Sequence, residues 1–142
     1  MVRRGVGVTC HALLALVAAA FALAGCGGDK PGSGAIGSLS DSRFVSQIGR
    51  TDVDITVVDN AFDPRYIKIS AGTTLTFNNT GRNAHNIVPV EVDAFKGVDL
   101  EAFGPGEVAT ITFEESGDFA YYCSIHGTPK NGQNGTIRVV DK

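Results

Sequence analysis

The chain has 142 residues, with 12 Lys and Arg against 15 Asp and Glu and a formal charge of −3. That balance argues against nucleic acid or an anionic lipid surface as partner, since both need excess positive charge. The length suits one domain with one core once any leader is set aside.

The first 25 residues read as an export signal. Arg3 and Arg4 give a positive start, and Leu13 to Leu23 form an apolar stretch too short to span a bilayer comfortably as a helix. The residues after the Arg pair match a twin-arginine signal poorly. The stretch closes on Leu23-Ala24-Gly25-Cys26, which resembles the bacterial lipobox. In that type of signal the Cys carries lipid and becomes the first residue of the mature protein. The alternative is an ordinary cleaved signal with an incidental Cys. Loss of the segment takes Arg3, Arg4, Cys10, His11 and the sole Met, so ten basic against 15 acidic residues leave −5. The remaining chain keeps His85, His126, Cys26 and Cys123. With Cys26 lipidated, Cys123 has no disulfide partner in an oxidising compartment, which demands a reason. Burial as a small apolar residue is the plainest one.

Residues 26–50 are rich in Gly and Ser and show no sustained period, as expected of a flexible tether. Phe44, Val45 and Ile48 offer at most a short ordered piece. From Thr51 to Lys142 the texture is that of a folded domain. Runs rich in Val, Ile, Thr and Phe predict strands at Asp54–Val58, Tyr66–Ser70, Thr73–Asn78, His85–Pro89, Val108–Phe113, Phe119–Cys123 and Thr136–Val140. Turn chemistry separates them at Asp63-Pro64, Ala71-Gly72, Thr80-Gly81, Gly104-Pro105-Gly106, Ser116-Gly117 and Asn131-Gly132. In Thr73–Phe77 and Ala109–Phe113 apolar and polar residues alternate, so one face is buried and the other wet. About seven strands in about 90 residues suggest a two-sheet antiparallel sandwich. Glu91 to Phe103 is less patterned and is expected to hold a short helix or an irregular crossover.

The chemistry concentrates in Tyr121-Tyr122-Cys123-Ser124-Ile125-His126-Gly127. Cys123 and His126 sit at a strand end and loop start, where a turn can aim both side chains at one point. His85, at the start of another predicted strand, can reach the same pole of a sandwich. One thiolate and two imidazoles suit copper in a trigonal site with a weak axial ligand. Zinc accepts the same donors, but a structural zinc site normally has four strong ligands, and only three are found here. No second nearby Cys points to a binuclear copper centre, and no His-x-His pair points to oxygen activation. No nucleophile–base pair or paired acidic cluster marks a stand-alone enzyme.

The stretch from Asn60 to the C-terminus resembles the cupredoxin family, of plastocyanin and azurin type. The resemblance lies in Ala61-Phe62-Asp63-Pro64 with Ile67-Lys68-Ile69, in Ala71 to Asn79, in Ala84-His85-Asn86-Ile87, in Phe103-Gly104-Pro105-Gly106-Glu107, in Tyr121 to His126 and in Gly135-Thr136-Ile137. It implies an all-β, cupredoxin-type antiparallel Greek-key β-sandwich of about seven to eight strands. It also implies one type 1 copper ion held by His85, Cys123 and His126, and a one-electron carrier working with redox partner proteins. The family's usual axial Met is missing, and counting back from Gly135 places Gln133 there. A Gln oxygen is a known axial alternative. The competing arrangements are a three-coordinate site or use of the Ala84 carbonyl. In similar proteins Asn86 pins the ligand loop through a hydroxyl such as Ser124. His126 is then the electron exit, with Gly81, Gly127 and Pro129 as a docking rim of low polarity.

Tyr121, Tyr122, Phe62, Phe77, Phe113 and Phe119 read as core and sheet-face residues. Asp52, Asp54, Asp59, Glu114 and Glu115 read as solvated strand ends, with an acidic docking patch as the alternative. The expectation is an exported, lipid-anchored, monomeric copper protein facing the extracytoplasmic side. A copper delivery or storage protein and a copper-free structural sandwich are its rivals.

Overall fold

The computed structural model describes residues 39–142. The export-signal segment, Cys26 and the tether up to residue 38 lie outside the described residues. The strands are β1 (Val45–Ser46), β2 (Asp52–Val58), β3 (Ala61–Asp63), β4 (Tyr66–Ser70), β5 (Thr73–Asn79), β6 (Val88–Pro89), β7 (Val108–Phe113), β8 (Gly117–Gly127) and β9 (Gly132–Val140). They form two sheets, ordered β1-β4-β9-β8-β6 and β3-β2-β5-β7.

Alternation in the sequence becomes the inner face of each sheet. Val53, Ile55 and Val57 of β2 are buried while Asp52 and Asp54 are exposed. Thr73, Leu75 and Phe77 of β5, Ile67 and Ile69 of β4, and Ile137 and Val139 of β9 complete the interior from both sides. Each of the aliphatic and Phe side chains among them contributes about 1.5–3 kcal/mol on leaving water. Phe62, Phe77 and Tyr121 meet edge to face, with centroids 4.8 to 6.5 Å apart. Phe113 and Phe119 are also core, as expected.

The sandwich differs from a wholly antiparallel one. β1 with β4, β2 with β5, and β4 with β9 run parallel. After β2 and its hairpin partner β3, the chain crosses to the opposite sheet as β4 and returns as β5 beside β2. Period-two patterning tells which face is buried but not which way a neighbour runs. The predicted strand from His85 shortens to Val88–Pro89, and Ile87 instead makes an isolated bridge to Val98. Within Glu91 to Phe103, residues Leu100–Ala102 form one 3₁₀ turn.

Order begins before Thr51. Asp41–Arg43 form a 3₁₀ turn and β1 adds an edge strand, so residues 39–50 are a packed strap where composition suggested tether. Phe44 is buried beneath the Arg138 guanidinium, 4.2 Å above its ring, and lies 5.9 Å from Tyr66. Asp41 accepts from Lys68 at 3.0 Å and from Arg138 at 3.2 Å, while Arg138 also pairs with Asp118 at 2.7 Å. The partners of Phe44 and Asp41 lie 22 to 97 residues away, so no local period announces them.

Candidate metal centre

The thiol reaches the interior because β8 alternates. Phe119, Tyr121 and Cys123 share the buried face, and Cys123 is fully enclosed. β8 pairs regularly with β9 as far as Tyr122↔Asn134, then resumes at Gly127↔Gly132. Between those pairs four residues, Cys123 to His126, stand opposite one, Gln133. The ligand stretch is therefore a bulge inside a long strand, rather than a free loop after it. The bulge turns His126 back toward Cys123 and leaves Gln133 of β9 opposite the four residues. Glycine is required where the strands close again: a Cβ on Gly127 would lie 2.5 Å from the Gln133 nitrogen, and Gly132 has φ +72°.

His85 arrives from the other sheet. Buried Asn79, at the end of β5, donates to the carbonyls of Asn83 and Phe103 at 3.0 Å and accepts from the Gly81 N–H. The His85 N–H donates to Phe103 at 3.1 Å. These bonds fold residues 80–85 inward and enclose the His85 ring completely.

The donors converge. Cys123 Sγ lies 3.8 Å from His85 Nδ1 and 3.6 Å from His126 Nδ1. One ligand atom from each of the three residues lies within 4.8 Å of the other two. Bond lengths of about 2.3 Å to sulfur and 2.0 Å to nitrogen, at trigonal angles, demand a sulfur–nitrogen separation of about 3.7 Å. The observed spacings meet that requirement. Burial holds the His85 imidazole below its ordinary protonation range, and neighbouring His126 pushes the same way. A neutral ring keeps a lone pair for a metal.

Gln133 is fully buried beside this trio. Its Nε2 donates weakly to the carbonyls of Val58 at 3.4 Å and Ala61 at 3.3 Å. Its Oε1 has no hydrogen-bond partner within the described residues. A buried amide oxygen without a hydrogen-bond donor is costly, and such an oxygen is suited to act as a weak ligand. The residue set thus fits one copper ion: His85, Cys123 and His126 as strong donors and the Gln133 oxygen in reserve. Ser124 and Asn86 are joined as expected, with the Asn86 amide donating to the Ser124 hydroxyl at 2.8 Å.

In the sequence Asp59 reads as a solvated strand end. It instead sits at the site's edge, with Oδ1 accepting from the backbone of Arg82 at 2.9 Å and of Asn83 at 3.2 Å. Those N–H groups, Arg82's first, hold its carboxyl below the usual range. Nothing in a one-dimensional pattern marks it, because its partners come from a turn 23 residues on.

The sequence pattern of copper binding proteins of the plastocyanin/azurin family matches residues 50–140. The chain is 36% identical over 75 residues to chloroplastic plastocyanin from Fritillaria agrestis, covering 46% of this chain and 45% of that one. It is 35% identical over 75 residues to plastocyanin A'/A'' from Nicotiana tabacum, covering 46% of this chain and 76% of that one. Among solved structures it resembles the copper-containing nitrite reductase from Thermus scotoductus, with TM-score 0.53 and 31% identity over 64% of this chain and 23% of that chain. The chain thus spans under half the length of the Fritillaria protein and about a quarter of the reductase.

Proposed function

The chain belongs to the plastocyanin/azurin family of copper-binding proteins, and from that premise we propose that it is an exported, lipid-anchored one-electron carrier with a type 1 copper site. Family members are generally one-electron copper carriers. Likeness to the nitrite reductase covers 23% of that chain, so the activity in its name is not carried over.

The observation that carries this reading is the convergence of a buried thiol and two imidazoles within 4.8 Å. Bound copper would supply the one-electron couple. The chain's own residues do the rest. Cys123 offers the thiolate, and the sandwich excludes water from it. His85 and His126 would hold the metal with it, and the Gln133 amide would offer a hard oxygen as a further, weaker donor. The Asn86–Ser124 hydrogen bonds across the bulge suit electron transfer, because donors held in one geometry between oxidation states keep reorganisation small. His126, half-buried where His85 is enclosed, is the exit nearest to solvent. Ile125, 56% exposed beside it, adds apolar surface for a redox partner.

Cys26 is the proposed lipid attachment, with the stretch from it to the strap as spacer and the domain on the extracytoplasmic side. Its support is the apolar run ending at Leu23-Ala24-Gly25-Cys26. Optical and EPR spectra of the copper-loaded protein test the site: an intense blue, EPR-active protein is expected, and a colourless one overturns the reading. Membrane fractionation of native protein against Cys26→Ala tests the anchor, with release of the variant expected.

A further inference from the structure

His85 presents Nδ1 to the Cys123 sulfur at 3.8 Å, which leaves Nε2 facing away from the trio. Nε2 is fully buried and has no hydrogen-bond partner within the described residues. A charged group does face it: Asp59 Oδ1 lies 3.8 Å away. We propose that Asp59 is the positioning residue of His85, its carboxylate holding the ring proton on Nε2 so that Nδ1 keeps a lone pair toward Cys123. This rests on reading the trio as a copper site.

Three features make the carboxylate a fixed part of the site. Its Oδ1 is gripped by the N–H groups of Arg82 at 2.9 Å and Asn83 at 3.2 Å and by the Asn83 side-chain amide at 3.1 Å, while Arg82 Nε reaches Oδ2 at 3.3 Å. Gly81 leaves room for it, since a Cβ there would sit 2.7 Å from Oδ1. The turn that carries Asp59 also supports the other unpartnered donor: the carbonyls of Val58 and Ala61 accept from Gln133. One turn, residues 58–61, therefore backs His85 with a carboxylate and Gln133 with two carbonyls.

The physical consequences are separable. A neutral imidazole has one proton, and an acceptor facing one nitrogen frees the other. At 3.8 Å the contact is longer than a hydrogen bond, and a shift of about 0.9 Å closes it. Metal-ligating histidines commonly donate their second N–H to a carboxylate. A full negative charge behind the ring also favours the more positive state of any cation held at Nδ1.

Two variants test these consequences. Asp59→Asn keeps an acceptor for the 81–83 turn but removes the charge; Asp59→Ala removes both. Long-range nitrogen–proton NMR correlations on metal-free protein read the His85 tautomer. Wild type is expected to carry its proton on Nε2 alone, and Asp59→Ala to populate both tautomers. In the copper-loaded protein Asp59→Asn is expected to change the relative affinity for the two oxidation states about tenfold, raising the one-electron midpoint by about 59 mV. Glu115→Gln, an exposed carboxylate elsewhere, should move it far less. A wild-type proton on Nδ1, or a midpoint in Asp59→Asn that moves no further than in Glu115→Gln, overturns the proposal. A colourless wild type overturns the copper reading instead, and the tautomer alone then decides the role of Asp59.

Discussion

Asn86 and Ser124 hold each other twice: the Asn86 amide donates to the Ser124 hydroxyl at 2.8 Å, and its carbonyl oxygen accepts the Ser124 backbone N–H at 2.8 Å. The pair links the residue after His85 to the residue after Cys123, so it ties the loop that carries His85 to β8 beside the donors. Asn86→Ala removes both bonds and should lower stability by about 1–2 kcal/mol. Ser124→Ala keeps the backbone bond and should cost about half as much. Urea midpoints measure both, and bound copper should pass to a chelator faster in Asn86→Ala than in Ser124→Ala. Equal effects of the two substitutions would refute the reciprocal clamp.

Gln133 offers the test of the fourth donor. Its orphaned oxygen is hard and favours Cu(II), whereas a thioether is softer. Gln133→Met should therefore raise the midpoint potential and change the EPR and optical spectra of the copper form. If neither changes, the amide oxygen does not act on the metal, and the three strong donors stand without it.

The strap gives a pH dependence. Hydrogen bonds from Lys68, then Arg138, lower the Asp41 pKa below its ordinary 3.8. A depressed folded-state value means that this support is fully present above the unfolded value and is lost as pH falls through the folded one. Protection of the Gln47 amide, which donates to the Lys68 carbonyl at 2.8 Å, should accordingly fall as pH drops below about 4. In Asp41→Asn the same amide should be less protected at neutral pH, and its protection factor should change little on acidification. Hydrogen exchange followed by NMR reads both.

The sandwich was legible because its inner face is written in alternation: Leu75 and Phe77, Ile111 and Phe113, Phe119 and Tyr121 all face inward as their spacing implies. The trio was legible for another reason, since few groups able to bind a soft metal remain once the leader is set aside. Strand direction was not, because a residue's burial is the same beside a parallel or an antiparallel neighbour. Val45–Ser46 and Ala61–Asp63 are too short to show a period. The role of Asp59 is not legible, nor the partners of Phe44, because they depend on Arg82, Asn83 and Arg138, which the fold alone brings near.

Tyr121 supplies the last prediction. Its ring is fully buried between Phe62 and Phe77, and its hydroxyl has no hydrogen-bond partner within the described residues. Burial alone drives the phenol's pKa far up, so it stays protonated at any working pH. The pocket is closed by backbone: a Cβ on Gly135 would lie 2.7 Å from the Tyr121 oxygen. An unpaired hydroxyl in such a place costs about 1–3 kcal/mol, while the ring's own contacts do not depend on it. Tyr121→Phe should therefore keep the fold and stabilise the protein by roughly 1 kcal/mol, after the small void left by the oxygen is counted. Since Tyr121 is two residues before Cys123 on the same face of β8, the variant also separates packing from electron transfer. An unchanged self-exchange rate in the copper form, beside a raised urea midpoint, is the expected result and marks Tyr121 as core. A slower exchange rate would make the phenol part of the electron path.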